Sequence, residues 1–328
     1  MPNPPRRGYT DGMINISLLG MGSVSYGDVD FKDVEALGNT AYADPKTPDE
    51  IVRACESADA VLVNKTLLDG PVLSRLPRLR YIGILATGYN NVDLAACRKY
   101  GITCTNVPGY STDAVAQHTV GLMLCTAGSL PQYLSSVQSG DWIRAPRFSY
   151  YAYPMHEVAG KTLGIYGYGN IGRRVAKIAD ALGMRVIFCT RGKKSGEPYE
   201  QVDRETLLRQ SDFLTLHCPL TEETAGLIGK DALRLMKPSA VLINAARGGL
   251  VDEQALADAL NSGRLAAACV DVLRTEPMLE SCPLRSAKNC YITPHAAWLP
   301  QETRQKLEIL AAENLEKFLA GTPQNVVS

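Results

Sequence analysis

The stretch 162-TLGIYGYGNIGRRVAKIADALG-183 joins a short apolar segment, three closely spaced glycines and an amphipathic segment that ends at a glycine. Thr162–Tyr166 is rich in β-branched and aromatic residues, which predicts a buried strand. Ile171–Leu182 carries apolar residues at helical spacing, and Gly183 supplies a helix stop. A strand, a glycine-rich turn and a helix in this order predict a unit of a parallel α/β sheet.

The glycines of this turn have the spacing G-x-G-x-x-G. Alone this spacing is weak evidence, and a glycine-rich turn in an ordinary α/β protein is the competing interpretation. Between a strand and a helix each glycine has its own role: Gly167 permits the tight turn, Gly169 admits a pyrophosphate, and Gly172 lets the helix pack closely. The phosphates would meet free N–H groups at the helix start, so the context favours a dinucleotide site.

Strands and helices alternate on both sides of this unit, which predicts two doubly wound parallel sheets. The second series contains six predicted strands, at Thr162–Tyr166, Arg185–Thr190, Asp212–His217, Ala240–Asn244, Ala266–Val272 and Cys290–Thr293, with a helix at Asp252–Asn261. The first series contains strands at Ile14–Leu19, Ala58–Val63, Arg80–Leu85 and Ile102–Thr105, and helices at Asp30–Leu37 and Val92–Tyr100 that stop at Gly38 and Gly101. The length of 328 residues fits about two domains.

The composition argues against several classes of protein. Lys plus Arg equals Asp plus Glu at 34 each, so no global charge recruits nucleic acid or an anionic membrane. Nine scattered cysteines without a C-x-x-C pair fit reduced thiols in the cytoplasm, and four histidines lack metal-ligand spacing. No apolar run is long enough to span a bilayer. Residues 1–12 lack a signal-peptide core and are interpreted as a short disordered leader.

A cluster of cations follows the second strand of the second series. The strand ends near Thr190, where an acidic residue would accept hydrogen bonds from the ribose hydroxyls of NAD(H). No Asp or Glu occurs in residues 188–195; Arg191, Lys193 and Lys194 stand there instead. Because these cations would pair with a 2′-phosphate, we expect NADP(H) to be the cofactor. NAD(H) remains the alternative, in which the loop is simply basic and solvated.

Three chemically distinct residues follow the last strands of the second series. Arg247 follows Ala240–Asn244, Glu276 follows Ala266–Val272, and His295 follows Cys290–Thr293. The carboxyl ends of parallel strands form one edge, so we expect the three side chains to converge there. A guanidinium can bind a carboxylate and a carbonyl oxygen, an imidazole can transfer a proton near neutral pH, and a carboxylate can orient the imidazole.

Seven segments together resemble the D-isomer-specific 2-hydroxyacid dehydrogenase family over nearly the whole chain. They are 86-ATGYNNVD-93, 106-NVPGYSTDAVAQH-118, the G-x-G-x-x-G turn, 217-HCPLTEET-224, 244-NAARGG-249, 271-DVLRTEP-277 and 293-TPH-295. The resemblance implies a Rossmann cofactor domain, residues 109–298, inserted into a flavodoxin-like substrate domain made of residues 1–108 and 299–328. It also implies a homodimer, and a catalytic trio of Arg247, Glu276 and His295.

The resemblance assigns further contacts. Substrate contacts are expected from Asn64, Lys65, Thr87 and Gly88, together with Arg247 and His295 of the trio. Cofactor contacts are expected from Val115, Gly167, Gly169, Asn170, Ile171, Gly172, Thr190, Arg191, Lys193, His217, Cys218, Pro219, Thr224, Ala245, Ala246, Arg247, Asp271, His295 and Ala297.

The sequences of residues 86–93 and 106–117 resemble those of the glycerate dehydrogenase and hydroxypyruvate/glyoxylate reductase branch of the family. Small 2-keto acids or D-2-hydroxy acids are therefore the expected substrates, and the nicotinamide would carry the hydride. Two alternatives remain open. One is a nucleotide-sensing, corepressor-like binding protein. The other is a reductase of a different 2-keto acid, such as pyruvate or a phosphorylated one, which would need more cations near Lys65 than the single one evident there.

Overall fold

The structure is a computed structural model that describes residues 13–328, so the predicted leader lies outside the described residues. The chain divides into two compact units, one formed by the residues up to Ser111 with Leu299–Ser328, the other by Thr112–Trp298. The first boundary had been predicted at residue 108. The division falls after residue 111, directly before the helix that starts at Thr112.

The strands are β1 (Ile14–Leu19), β2 (Gly38–Ala43), β3 (Ala60–Val63), β4 (Tyr81–Ile84), β5 (Thr103–Thr105), β6 (Thr162–Tyr166), β7 (Arg185–Cys189), β8 (Glu200–Gln201), β9 (Phe213–Leu216), β10 (Val241–Asn244), β11 (Ala267–Val270) and β12 (Cys290–Ile292). The helices are α1 (Lys32–Glu35), α2 (Pro48–Cys55), α3 (Gly70–Leu73), α4 (Leu94–Tyr100), α5 (Thr112–Ala127), α6 (Leu130–Gln138), α7 (Asn170–Ala181), α8 (Arg204–Gln210), α9 (Lys230–Leu235), α10 (Glu253–Asn261) and α11 (Gln301–Leu319).

The first unit contains a parallel sheet in the order β2-β1-β3-β4-β5. This is the flavodoxin-like order, as expected. Its central strands β3 and β4 are buried on both faces, which explains their continuous apolar composition. Helix α11 belongs to this unit although it is remote in sequence, and its Leu307 and Leu315 are fully buried.

One prediction for the first unit was wrong, and β2 and α2 were missed. Gly38 was expected to stop a helix, but it is the first residue of β2, and a Cβ there would lie 2.4 Å from the carbonyl oxygen of Ile14. Strand β2 was missed because it is an edge strand in which Gly38 alone is buried, so it lacks a strand-like apolar pattern. Helix α2 was also missed, although Thr47 and Glu50 form a capping box at its start.

The second unit contains a parallel sheet in the order β12-β11-β10-β9-β6-β7-β8. The order reverses between β6 and β9, as in a Rossmann fold, and ligands bind such sheets at that reversal, beyond the carboxyl ends of the strands. Separate apolar clusters cover the two faces of this sheet. The sequence predicted six of its seven strands, and the two-residue edge strand β8 was too short to recognise.

Between residues 13 and 328, no helix combines the length and the apolar character needed to cross a membrane.

Candidate functional site

The glycine turn after β6 is packed against the backbone of a neighbouring loop. Gly167 has φ of +99°, and a Cβ there would lie 2.5 Å from the backbone of His217 and of Cys218. A Cβ on Gly172 would lie 2.3 Å from the carbonyl oxygen of Gly167, so α7 could not approach the turn with any larger residue. A Cβ on Gly169, in contrast, would meet no atom within 4 Å, so the space above this residue is open.

Helix α7 begins at this open space. Gly169 is its N-cap and no side chain caps the helix, so its first N–H groups are available to an anion. His217 borders the same turn: its Nε2 lies 3.0 Å from Oγ1 of Thr215, and its buried Nδ1 has no hydrogen-bond partner. Burial lowers the pKa of His217 to about 3, so the imidazole is neutral at physiological pH. The open turn, the uncapped helix and the unpartnered nitrogen fit a phosphate-bearing cofactor.

The cations predicted to face the 2′-position lie on the loop after β7, which we define as the basic loop, Thr190–Lys194. Arg191 and Lys193 are both exposed. Nη1 of Arg191 lies 3.8 Å from Oε2 of Glu223, which belongs to the loop after β9. This acidic neighbour could not be inferred from the sequence of the basic loop itself.

His295 and Glu276 form a close pair. Nδ1 of His295 lies 2.7 Å from Oε2 of Glu276, and the N–H of Leu273 donates to Oε1 of the same carboxylate at 2.9 Å. His295 has φ of +54°, a left-handed conformation that costs a residue with a side chain on the order of 1 kcal/mol or more. Its backbone N–H donates to the carbonyl oxygens of Asp271 and Thr293. The backbone is thus held in an unusual conformation that directs the imidazole to Glu276.

Asp271 positions the segment that carries His295. The carboxylate is 1% exposed and accepts hydrogen bonds from Oγ1 of Thr293 at 2.6 Å and from the N–H groups of Ala296 and Ala297 at 2.7 and 3.0 Å. Nε2 of His118 lies 3.4 Å from the same carboxylate. Burial alone would raise the pKa of Asp271, but these hydrogen bonds outweigh it and the pKa is lowered. Asp271 therefore remains a carboxylate that fixes the loop after β12.

The loop that carries Arg247 packs directly on the loop that carries Glu276. Asn244 shapes it by accepting from the N–H of Ala246 at 3.1 Å and donating to the carbonyl of Arg247 at 2.9 Å. A Cβ on Gly248 would lie 1.9 Å from the carbonyl carbon of Leu273, so the two loops are in backbone contact. Arg247 itself is exposed, and its Nη1 donates to the carbonyl of Ala246 at 2.7 Å.

The other predicted cofactor residues of the second unit share one location. They lie on loops at the carboxyl ends of the strands or on the first turn of α7, with the exception of Val115, which is buried on α5. By strand these are Gly167, Gly169, Asn170, Ile171 and Gly172 after β6; Thr190, Arg191 and Lys193 after β7; His217, Cys218, Pro219 and Thr224 after β9; Ala245, Ala246 and Arg247 after β10; Asp271 after β11; and His295 and Ala297 after β12.

The predicted substrate residues Asn64, Lys65, Thr87 and Gly88 lie in the first unit, on the loops after β3 and β4. Asn64 is 3% exposed and joins these loops, because its Nδ2 donates to the carbonyl of Leu85 at 2.5 Å. Lys65 lines a cleft of about 520 Å³ that also contains Lys46 and Asp44. The view that Lys65 is the single cation in this region was therefore wrong, because Lys46 reaches the cleft from the loop after β2.

Sequence reasoning missed the residues that position the site. Asn244 and Thr293 lie within family-like segments and Gln201 lies outside them, but the motifs did not indicate the hydrogen bonds through which these three side chains act. His118 was noticed within a family-like segment, but its contact with Asp271, 153 positions later, was not.

Known proteins match both the sequence and the fold. Residues 120–297 match the family model described as the NAD binding domain of D-isomer specific 2-hydroxyacid dehydrogenases. The hydroxypyruvate reductase of Blautia hydrogenotrophica is 42% identical over 308 residues, which cover 92% of this chain and 96% of that protein. The glycerate dehydrogenase of Methylorubrum extorquens is 43% identical over 288 residues, which cover 87% and 90% of the two chains.

A solved structure shows the same fold with a cofactor bound. It is the NADPH-dependent glyoxylate/hydroxypyruvate reductase from Sinorhizobium meliloti in complex with NADP and malonate. Its alignment with this chain has a TM-score of 0.83 and a sequence identity of 27%, and it covers 97% of each chain.

Proposed function

Because the chain belongs to the D-isomer-specific 2-hydroxyacid dehydrogenase family and is an oxidoreductase acting on CH–OH donors, we propose that it reduces small 2-keto acids of the hydroxypyruvate and glyoxylate type. For hydroxypyruvate, D-glycerate would be the corresponding alcohol in the reverse reaction. The observation that carries the chemistry is the His295–Glu276 pair, at 2.7 Å on the carboxyl edge of the cofactor-type sheet. The names of the most similar relatives support the substrate class.

The bound nicotinamide cofactor supplies the hydride. His295 gives a proton to the substrate carbonyl oxygen from Nε2, because its Nδ1–H donates to the carboxylate of Glu276. Glu276 orients the ring and is itself held by the N–H of Leu273. Arg247 presents a planar set of donors to the substrate carboxylate and to the carbonyl oxygen as negative charge develops on it. The contacts of Asn64, Lys65, Thr87 and Gly88 with substrate remain predictions.

For the cofactor we propose a preference for NADP(H) over NAD(H). The exposed Arg191 and Lys193 support it, because they can pair with a 2′-phosphate and no carboxylate lies within the basic loop. The solved structure from Sinorhizobium meliloti, which is NADPH-dependent, is consistent with this choice. Glu223 weakens the positive field around Arg191 but is itself exposed, so solvent screens the effect.

Initial rates with a substrate-by-cofactor matrix test both proposals. Hydroxypyruvate, glyoxylate and pyruvate are each assayed with NADPH and with NADH. We expect the highest kcat/KM with hydroxypyruvate or glyoxylate and NADPH. A clear preference for NADH would overturn the cofactor proposal alone. Rates with pyruvate above both other acids, or no turnover with any acid, would overturn the substrate proposal.

A second candidate substrate carries a phosphate. The cleft with Lys46 and Lys65 favours an anionic group in the first unit, although Nζ of Lys46 is 2.6 Å from Oδ2 of Asp44, which reduces the positive charge of the cleft. 3-Phosphohydroxypyruvate in the same assay tests it, and Lys46→Ala should raise its KM without changing that of hydroxypyruvate.

We also propose that the protein is a cytoplasmic homodimer. The segment from α5 to residue 155 exposes a set of large apolar side chains, which is the signature of a covered surface. These are Leu124, Leu130, Leu134, Val137, Trp142, Ile143, Phe148, Tyr151 and Met155. All nine cysteines lie within the described residues and none forms a disulfide, which fits a reducing compartment.

A further inference from the structure

We infer that Gln201 is a positioning residue for cofactor selectivity, because its side chain holds the basic loop Thr190–Lys194 in a closed shape. The inference rests on the proposed preference for NADP(H). Gln201 is the last residue of β8, the edge strand that pairs with β7. It therefore stands beside the strand from which the basic loop emerges.

The amide of Gln201 bonds to both arms of the loop. Its Oε1 accepts from the backbone N–H of Lys194 at 2.8 Å, and its Nε2 donates to the carbonyl of Gly192 at 2.8 Å. Nε2 also lies 3.5 Å from the carbonyl of Thr190, at the start of the loop. The amide orientation is determined by these partners, since the N–H group needs an acceptor and the carbonyl groups need donors. One side chain thus closes the loop that contains Arg191 and Lys193.

A second contact anchors the chain just after the loop. Arg173 on α7 forms an ion pair with Glu197, and its guanidinium lies over the ring of Tyr168 at 4.8 Å from the centroid. Tyr168 belongs to the glycine turn and stacks on Phe188 of β7 with ring centroids 3.9 Å apart. The segment that follows the basic loop is therefore tied to the phosphate-binding turn. Between these anchors, the side chain of Gln201 is hydrogen-bonded to the backbone of Gly192 and Lys194.

Closure of the loop has a consequence for binding. Arg191 and Lys193 are long, exposed side chains on a loop whose Gly192 has φ of +69°, so an unbraced loop would sample many conformations. Binding a 2′-phosphate to such a loop would reduce the conformational entropy of the loop. A preformed loop has already lost this entropy on folding, so binding to it costs less free energy. Gln201 touches neither substrate nor nicotinamide in this scheme. Its loss should weaken recognition of the 2′-phosphate and leave the chemical step intact.

The test measures the 2′-phosphate contribution directly. Isothermal titration gives the dissociation constants of 2′,5′-ADP and of 5′-AMP for the wild type, Gln201→Leu and Gln201→Asn. The quantity compared is the ratio of the constant for 5′-AMP to the constant for 2′,5′-ADP, which is high when the 2′-phosphate contributes to binding. The asparagine variant keeps an amide that is too short to reach both arms, and it replaces the leucine variant if that one is unstable. Gln254→Leu is the control, since Gln254 is exposed and its Nε2 bonds to Asp258 one turn along α10.

We expect Gln201→Leu to lower this ratio about five- to tenfold, as for one or two ordinary hydrogen bonds, with the affinity for 5′-AMP unchanged. In steady-state assays the KM for NADPH should rise by a similar factor, while kcat at saturating NADPH and the KM for NADH stay constant. The control should match the wild type.

Each contrary result has a distinct meaning. If the wild type binds 2′,5′-ADP no more tightly than 5′-AMP, the proposed NADP(H) preference fails and this inference fails with it. If the wild type discriminates but both Gln201 variants retain the full ratio, the role of Gln201 is overturned and the NADP(H) preference stands. A loss of affinity for both nucleotides alike would show a general structural role and also overturn the inference.

Discussion

Nδ1 of His295 lies 2.7 Å from Oε2 of Glu276, and the other oxygen of that carboxylate accepts a hydrogen bond from the backbone of Leu273. The carboxylate is therefore held on both sides, and the imidazole is directed by a group that cannot easily turn away. The left-handed backbone of His295 completes the arrangement.

Replacing His295 should separate chemistry from binding. Asparagine is the suitable replacement because it tolerates a left-handed backbone, which alanine does not. We expect His295→Asn to lower kcat by about 10²- to 10⁴-fold, the usual contribution of a general acid, with little change in the dissociation constant for NADPH. Glu276→Gln should lower kcat less. Initial rates and fluorescence titration measure the two quantities, and equal losses in both would contradict the assignment.

Two glycines of the cofactor turn should fail in different ways. Gly169→Ala adds a methyl group to open space at a φ of −89°, so the melting temperature should stay within about 2 °C of the wild type. The same methyl group would obstruct the approach of a pyrophosphate, so the affinity for NADPH should fall at least about tenfold. Gly172→Ala places its methyl group 2.3 Å from a carbonyl oxygen and should destabilise the protein by about 1–3 kcal/mol. Differential scanning fluorimetry and nucleotide titration give both readouts, and the opposite pattern would refute the steric assignment.

Glu308 should make the stability of the first unit depend on pH. It is fully buried on α11, where burial raises its pKa from 4.5 to about 7, and its Oε1 accepts from the N–H of Val34 at 3.1 Å. Between these pH values the unfolded chain releases a proton that the folded chain retains. The contribution of Glu308 to stability should therefore be greatest below pH 4.5, and it should be lost as the pH rises through 7. The nearby Asp33 and Asp30 add to the effect.

Glu308→Gln should remove most of this dependence. At pH 8 the variant should unfold at a higher urea concentration than the wild type, with a gain of up to a few kcal/mol, since each pKa unit corresponds to about 1.4 kcal/mol. At pH 5 the two proteins should differ little. Glu316→Gln, on the exposed face of the same helix, is the control. An equal shift at both pH values would show that the charge of Glu308 is not responsible.

Asp271→Asn should damage stability and turnover together. The asparagine keeps the size of the side chain, but its NH₂ group would face backbone N–H groups that now donate hydrogen bonds to the carboxylate. We expect a loss of about 1–3 kcal/mol, as for a buried polar group left unsatisfied, and a lower kcat because the segment that carries His295 moves. Urea denaturation and initial rates test this. A variant with normal kcat would show that Asp271 does not position His295.

The apolar segment after α5 should mediate self-association. Ile143 and Phe148 are about nine-tenths exposed, so Phe148→Asp should leave the fold of one chain intact and weaken an interface that depends on it. Sedimentation equilibrium should give a dimer for the wild type and a larger monomer fraction for the variant. A wild-type monomer at micromolar concentration would contradict the homodimer proposal.

Local pattern predicted the elements that face the core. β1 and β6 have the bounds expected from the sequence, because their apolar residues fill buried strands. β2 and β8 were missed because edge strands contribute few buried side chains. The chemical types at the ends of β10, β11 and β12 were recognisable because parallel strands bring their carboxyl ends to one edge.

By itself the sequence determined the alternation of strands and helices, the glycine turn and the residue types available for hydride and proton transfer, since these depend on composition and local spacing. The tertiary structure decided which side chains support them. Asp271 with Thr293, Asn244 with Arg247, and Gln201 with Lys194 act through hydrogen bonds whose partners a short-range pattern does not specify. A hydrogen bond requires its atoms within about 3 Å at the correct angle, and only the packed chain sets that distance.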